Sequence, residues 1–366
     1  MWTETDMLVH ICCSVDSHYF LQKLQADFPD EKLIGFFYDP NIHPYSEYSL
    51  RLLDVKRSCK MLGIELIEGE YDYETWLSAV KGLENEPEKG SRCSVCFDRR
   101  FDVTAQKAFE LGEKTFTSTL LTSPKKSLIQ LKESGDLLGK KYGISFVSPD
   151  YRKASGTQEQ NIIAKEAKLY RQDYCGCLFA LSKQREQQNK LADELFTPIS
   201  NQMQPDSIEE RIKLYEKRME LEEQGISYRI IKERILNWRL LSAWLKVQKK
   251  IVPSHFLPYS TLKKSYTRGR IEYSIGKIHY MGRDEVKIIS IKDYNLLVNK
   301  KYNSVKEIIF NPPDFETEIE LRNALLGSSY DTSVLLVVDN IPQSKIEIYL
   351  ESKSMQDVRE KIIVLK

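Results

Sequence analysis

The chain has 366 residues, 54 Lys and Arg against 53 Asp and Glu, and 41% hydrophobic residues, enough for a full core and for two domains. A net charge of +1 gives no bulk attraction to an acidic partner, and no apolar stretch approaches the roughly 20 residues of a membrane span. Met1-Trp2-Thr3-Glu4-Thr5-Asp6 lacks the basic-then-apolar pattern of a secretory leader, so the expected setting is the cytoplasm, with no membrane partner.

In chain order, Met7–Ile11 reads as a strand and 16–24 as the helix behind it, with Asp16 or Ser17 placed to cap it. Leu33–Tyr38 is the next strand, closed by the turn Asp39-Pro40-Asn41, and Tyr45–Leu62 carries helical spacing that stops at Gly63. A strand over 64–67, helices over 73–80 and 99–111, and strands over 115–121 and 144–147 follow. Strands alternating with helices predict an α/β fold, a Rossmann-like doubly wound parallel sheet, whose ligands sit beyond the carboxyl ends of the strands. The rhythm stops near Pro198-Ile199-Ser200. The predicted division is a catalytic metal-binding domain over 1–195 and an accessory region over 196–366. The accessory region is expected to be helical over 207–250, with a stripe of Ile231, Ile235, Trp238, Leu241 and Trp244, and α+β over 251–366. Strand patterns there include 270–275, Glu285-Val-Lys-Ile-Ile-Ser-Ile and 334–338.

Six of the seven cysteines form three tight pairs, Cys12-Cys13, Cys93-Ser-Val-Cys96 and Cys175-Gly-Cys177, with Cys59 left alone. In a reducing compartment such pairs are metal ligands or catalytic thiols more often than disulfides. Two readings stand. Four thiolates from the later pairs suit a closed structural zinc site. Six thiolates exceed one tetrahedral ion and suit an iron-sulfur cluster with a second metal or reactive thiol beside it. His10, Asp16 and His18 flank the first pair, and Asn41-Ile42-His43-Pro44 ends the second strand on the same predicted edge. Arg92, Arg99, Lys153 and Arg171 bring positive charge to the thiol segments, where it can lower a thiol pKa or hold phosphate. A second basic tract, Lys246, Lys249, Lys250, Lys263, Lys264, Arg268, Arg270 and Lys277, is interleaved with Phe256, Tyr259, Tyr266 and Tyr273, a mixture suited to unpaired RNA.

Taken in order, His10-Ile-Cys-Cys13 with Asp16, Phe37-Tyr-Asp-Pro-Asn-Ile-His-Pro44, Tyr45-x-x-Tyr48-x-x-Arg51, Gly82-Leu-Glu-x-Glu-Pro-Glu88 and Gly90-x-Arg-Cys-x-x-Cys-Phe97 with Arg99 form one series of motifs. Thr119-Leu-x-x-Ser-Pro124 with Lys126, Asp150-x-x-Lys153 and Leu169-Tyr-Arg-Gln-x-Tyr-Cys-Gly-Cys177 complete it. Together these stretches resemble QueH, the cobalamin-independent epoxyqueuosine reductase family. The resemblance covers nearly all of 7–180. It departs at Ser14-Val15, where the family commonly has Ala-Pro, and at Asp39, where it has Asn. It implies reductive removal of the epoxide oxygen from epoxyqueuosine at the tRNA wobble position, with electrons from an unidentified donor. It also implies a [4Fe-4S] cluster on a subset of the six cysteines and an adjacent mononuclear iron held by remaining thiolates and Asp16, with His10, His43 or Tyr174 as the acid. Asn41 and the four basic residues would then meet the tRNA. The alternatives are an ATP-dependent iron-sulfur tRNA thiolase and a zinc-stabilised RNA-binding protein. The strand-loop-helix start echoes a pyrophosphate-loop enzyme, but two cysteines stand where that loop needs glycines, so ATP use is not expected.

Overall fold

A computed structural model describes residues 6–123, 126–153, 155–196, 200, 202–282 and 286–365. Met1–Thr5, Pro124, Pro198, Ile199 and Glu285, which figure in the readings above, lie outside the described residues. The chain falls into two compact units, 1–195 with 215–224, and 196–214 with 225–366.

The first unit holds β1 (Met7–Ile11), α1 (Ser14–Asp27), β2 (Leu33–Phe37), α2 (Tyr45–Leu62), β3 (Glu65–Glu68), α3 (Tyr73–Ala79), α4 (Ser91–Leu111), β4 (Thr115–Ser118), α5 (Leu128–Tyr142), β5 (Ser145–Phe146), α6 (Gly156–Glu166) and α7 (Leu178–Gln187). Its sheet is parallel throughout, in the order β3-β2-β1-β4-β5. β1 and β2 are buried along their whole length, which is why they read as short unbroken apolar runs. The strand order reverses direction between β1 and β4, and that switch point opens a crevice at the strands' carboxyl ends. Cys12 and Cys13 follow β1 directly.

Two sequence boundaries shift in this unit. α4 begins at Ser91 rather than at 99, so Cys93 and Cys96 lie within its first two turns. The helix continues because Phe97, Phe101, Ala105 and Ala108 form one apolar stripe buried in the core, while Cys93, Cys96 and Arg100 share the neighbouring face at i, i+3 and i+7. β4 stops at Ser118, and Thr119–Thr122 forms a 3-10 turn. The turn starts when the Ser118 hydroxyl accepts a hydrogen bond from the Leu120 amide.

α8 (Ile208–Glu223) is followed by β6 (Tyr228–Val247), β7 (Lys250–Val252), β8 (Ser254–Phe256), β9 (Tyr266–Gly269), β10 (Ile271–Ile275), β11 (Ile278–Met281), β12 (Val286–Ser290), α9 (Ile291–Val298), α10 (Val305–Phe310), α11 (Phe315–Leu326), β13 (Val334–Val338) and β14 (Ile346–Val364). The helix expected over 207–250 is therefore corrected: it ends at Glu223, and 228–247 is one long strand. Its partner is β14, paired antiparallel from Val247↔Ile346 to Tyr228↔Val364, with a bulge opposite Glu351 and Ser352 that places Leu241 out of register. The segment 248–345 separates these strands in sequence, and their ladder of backbone bonds overrides the local helical spacing.

In the second unit β7-β6-β14-β9 form a four-stranded sheet and β10-β11-β12-β13-β8 a five-stranded one. Leu245, Ile346, Ile348 and Leu350 of the first sheet pack on Phe256, Val286, Ile288, Val334 and Leu336 of the second. Ile289, Leu335 and Val337 face the other way, against Tyr294 and Val298 of α9, Val305 and Ile308 of α10 and Leu321 of α11. Behind β6, Asp206 pairs with Arg211 at 2.7 Å, and Asn237 holds Asp357 at 3.1 Å. Burial pushes the Asp206 carboxyl up to about 7; Asp357 adds to the rise and Arg211 opposes it. A carboxyl whose folded value lies above its unfolded 3.8 gains a proton on folding, so this stability is complete below about pH 4 and is lost as pH rises through 7. The full shift corresponds to at most about 4 kcal/mol. Denaturant unfolding of the second unit should show lower stability at pH 8 than at pH 5, and Asp206→Asn should flatten that dependence. An equal slope in the variant would contradict the assignment.

Candidate metal and redox site

All six paired cysteines line one cavity of about 340 Å³ at the switch point, together with Asp16, Asp39, Asn41, Arg51, Trp76, Arg92, Arg100, Lys126, Gln160, Arg171 and Tyr174. Buried ions on α2 hold the wall in place. Asp54, fully buried, accepts from the Ser14 hydroxyl at the start of α1, from the Tyr170 amide at 2.7 Å and from Arg218 at 2.5 Å. It thereby ties the segment after Cys13 to the segment before Cys175. Arg51 donates to Glu47 at 2.7 Å and to the Tyr174 carbonyl at 3.1 Å, and the Tyr170 hydroxyl donates to Glu47 at 3.0 Å. The Cys175-Gly-Cys177 loop is then stitched to the end of β2 by the His43 amide on the Gly176 carbonyl (2.9 Å) and by a bridge between Ile42 and Cys177. Gly176 has φ +98°, and a Cβ there would stand 2.8 Å from Ile42 Cγ1, so only glycine lets the two thiols turn together into the cavity.

Cys12, Cys13 and Asp16 offer ligand atoms that all lie within 4.8 Å of one another, the tightest such grouping among the described residues. The Cys12 and Cys13 sulfurs are 3.8 Å apart, and Gln160 of α6 donates to Asp16 at 2.7 Å. The Cys13 thiol is held well above its ordinary range by its bonded contact with Cys12 and by burial. Burial likewise pushes Asp16 up, against its hydrogen bonds from Gln160 and the two thiols. Across the cavity, the hydrogen bond with Cys177 brings Cys175 down to about 5 and raises Cys177, so that pair shares one proton. Burial raises Cys96. Lys126 lies over the Phe97 ring at 5.0 Å and has no carboxylate partner among the described residues. Its charge favours the ionised forms of Asp16, Cys96 and Cys175.

The other residues singled out by sequence divide. Tyr174 lines the cavity, but its hydroxyl donates to the His43 carbonyl at 3.0 Å and burial raises its pKa strongly. Arg92 is buried and spends its guanidinium on the carbonyls of Leu83, Glu84 and Glu86. Arg171 stands at the rim, bonded to Asn161 at 2.9 Å. His10, His43, Arg99 and Lys153 are not among the lining residues. His10 is fully buried beneath the site, bonded to Ser118 Oγ at 2.8 Å and to the Tyr38 carbonyl at 3.1 Å. Burial and the charge of Arg100 keep it neutral. His43 stacks on Tyr73 at 4.9 Å, Arg99 pairs with Asp72 at 2.8 Å, and Lys153 is exposed beside Asp150 at 3.5 Å.

Sequence reading passed over Arg100, whose guanidinium lines the cavity, pairs with buried Asp39 and lies 3.3 Å from His10. The i, i+3, i+7 spacing from Cys93 and Cys96 carries that signal once α4 is started at Ser91. Three lining residues also carry buried polar atoms with no hydrogen-bond partner among the described residues: Asp39 Oδ2, Asn41 Oδ1 and Gln172 Oε1. Orphaned groups each cost about 1–3 kcal/mol, and their gathering here is the mark of a cavity built around a polar occupant.

A family model described as epoxyqueuosine reductase QueH matches residues 7–183. An epoxyqueuosine reductase QueH from Helicobacter pylori is 39% identical over 361 residues, 95% of this chain and 97% of that one. The chain belongs to the epoxyqueuosine reductase QueH family. Another QueH, from Thermotoga maritima, is 35% identical over 189 residues, 51% of this chain but 95% of its own. QueH proteins thus occur with and without a counterpart of the second half of this chain. Among solved structures, the U34-tRNA thiolase NcsA from Methanococcus maripaludis with its [4Fe-4S] cluster gives a TM-score of 0.35 at 14% identity, over 60% of this chain and 73% of that one. A likeness of that size carries no argument about this fold.

Proposed function

We propose that the six-thiol cavity is where this family member reduces epoxyqueuosine, with the wobble nucleotide of tRNA turned into it. The observation that carries the reading is the convergence of three sequence-distant cysteine pairs and one carboxylate on a single cavity at the switch point. Reduction of the epoxide breaks both of its C–O bonds, consumes two electrons and two protons, leaves a carbon–carbon double bond and releases the oxygen as water. No side chain supplies electrons, so a bound redox group is required.

The donor set fits one. Cys12, Cys13 and Asp16 form a compact mixed set suited to a single iron, since a carboxylate is the harder ligand. Cys93, Cys96, Cys175 and Cys177 line the rest of the cavity and offer four further thiols, the ligand set a [4Fe-4S] cluster takes. When bound, these groups supply the electrons and the Lewis acidity that the reaction needs. The protein's own residues position and charge the site. Lys126 presents an ammonium to the oxygen that gains negative charge, and Asn41 and Gln172 offer their unpaired carbonyl oxygens to the hydroxyls or amines of the cyclopentane. Arg171 at the rim faces the phosphates on either side of the turned-out nucleotide. Arg51 and Asp54 keep the two thiol segments in register, and His10, neutral and fully bonded, supports Arg100 without moving a proton.

The electrons come from a separate low-potential carrier, and the enzyme works in the cytoplasm, where tRNA is found. No helix among the described residues is long and apolar enough to cross a membrane. A thiolase would activate its nucleotide with ATP, whereas epoxide reduction has no step for a phosphate donor. Turnover with a chemical reductant should keep the same rate when ATP is added or removed; an absolute requirement for ATP would overturn the reading.

A further inference from the structure

The four-stranded sheet of the second unit has one face in the core and one outside. Alternation along the strands sends Leu245, Ile346, Ile348 and Leu350 inward. It sends Trp244, Lys246, Glu347 and Tyr349 to the opposite face, and the register adds Tyr266 and Arg268 from β9 beside them. Trp244 stacks on Tyr349 at 5.7 Å with an interplanar angle of 13°, and Tyr266 lies 6.2 Å from Trp244. The Lys246 ammonium sits 4.2 Å from the Trp244 ring. Tyr266 is 43% exposed and Ile251, beside Lys246 on β7, is 68% exposed, so this face meets solvent. Lys246 and Arg268 stand beside the aromatic row, Lys249, Lys250, Lys263, Lys264 and Arg270 lie at the turns and ends of the same sheet's strands, and none of the seven pairs with a carboxylate among the described residues. Glu347 and Glu351 are the acids on the same face, and Glu351 is occupied by the Tyr349 hydroxyl at 2.8 Å. Phe256, part of the same basic tract in sequence, is core.

We infer that this outer face is a docking platform for an unpaired segment of the substrate tRNA outside its wobble nucleotide. The inference rests on the reading above that the substrate is a tRNA. Three aromatic rings from three adjacent strands gather here, the Trp244 and Tyr266 rings 6.2 Å apart, and a sheet that presents aromatics between cations binds single-stranded RNA by stacking with phosphate contacts at its edges. Excess positive charge matches a polyanion and argues against a basic or neutral helix as occupant. The Thermotoga maritima relative, matched over 95% of its length by only 51% of this chain, fits a surface that adds grip rather than chemistry.

The test uses the full chain, with fluorescent epoxyqueuosine-containing tRNA as the probe. Trp244→Ala with Tyr349→Ala should weaken tRNA binding by about tenfold or more, and Trp244→Phe with Tyr349→Phe should restore most of it, because stacking survives. Lys246→Glu with Arg268→Glu should weaken binding and flatten the salt dependence by about two contacts; it also carries the test if the alanine pair folds poorly. At saturating tRNA every folded variant should turn over at the wild-type rate, with KM raised. Wild-type affinity in both the alanine pair and the charge-reversed pair would overturn the platform while leaving the reductase reading intact. Weakened binding in both, alongside wild-type protein that leaves epoxyqueuosine unreduced, would keep the platform and sink the reductase reading.

Discussion

Cys96→Ser is expected to strip most acid-labile sulfide from anaerobically reconstituted protein, while Asp16→Asn is expected to keep the sulfide and lose about one iron per chain. Both should lower turnover by more than about a thousandfold, because electron supply and Lewis acidity are each worth several kcal/mol at the transition state. The asymmetry follows from the two donor sets. Cys96 shares its end of the cavity with Cys175 and Cys177, whereas Asp16 closes the compact group with Cys12 and Cys13. Iron and sulfide assays alongside turnover decide the matter. Equal loss of sulfide in both variants would mean that one group spans all six thiols. Full turnover in either would remove that residue from the site.

Arg100→Ala is expected to cost about 3–5 kcal/mol of stability near pH 8, the range for removing one partner of a buried ion pair. Arg100 and Asp39 are both almost fully buried, and among the described residues the other cation acting on Asp39 is Arg51. Burial already pushes the Asp39 carboxyl up to about 7 against both arginines. Without Arg100 it rises further and the carboxyl takes a proton, so the penalty shrinks as pH falls. In the variant the folded value lies above the unfolded one, and stability is therefore lost as pH rises through it. Denaturant titrations at pH 5 and pH 8 should show a larger difference between wild type and variant at the higher pH. A pH-independent difference below about 1 kcal/mol would show that Asp39 needs no partner.

The first half of the fold was legible because its signals are local. β1 and β2 are short apolar runs, α2 ends at Gly63 in the left-handed conformation, and the cysteine pairs sit at strand and helix ends that a doubly wound sheet must bring to one edge. Two things hid the rest of the site. The small and polar residues at 91–96 read as loop, which displaced the start of α4 and with it the face that carries Arg100. His10 stands two residues before Cys12, yet its place inside β1 buries it beneath the cavity instead of in its wall. The second half was misread for a different reason. β6 is rich in Arg, Lys and Leu, which favour helix locally, and only pairing with β14 across the length of the unit makes it a strand. The outer-face row of Trp244, Tyr349 and Tyr266 could not be seen in sequence, because Tyr349 lies 105 residues from Trp244 and the helical stripe placed Trp244 on a different face.

Nucleoside mass spectrometry tests the central claim most directly. Epoxyqueuosine-containing tRNA would be incubated anaerobically with reconstituted protein and a chemical reductant, without ATP or cobalamin, and digested. The account predicts conversion to a nucleoside lighter by one oxygen atom, absent with Cys96→Ser. An unchanged nucleoside from protein that demonstrably holds its iron and sulfide would contradict it.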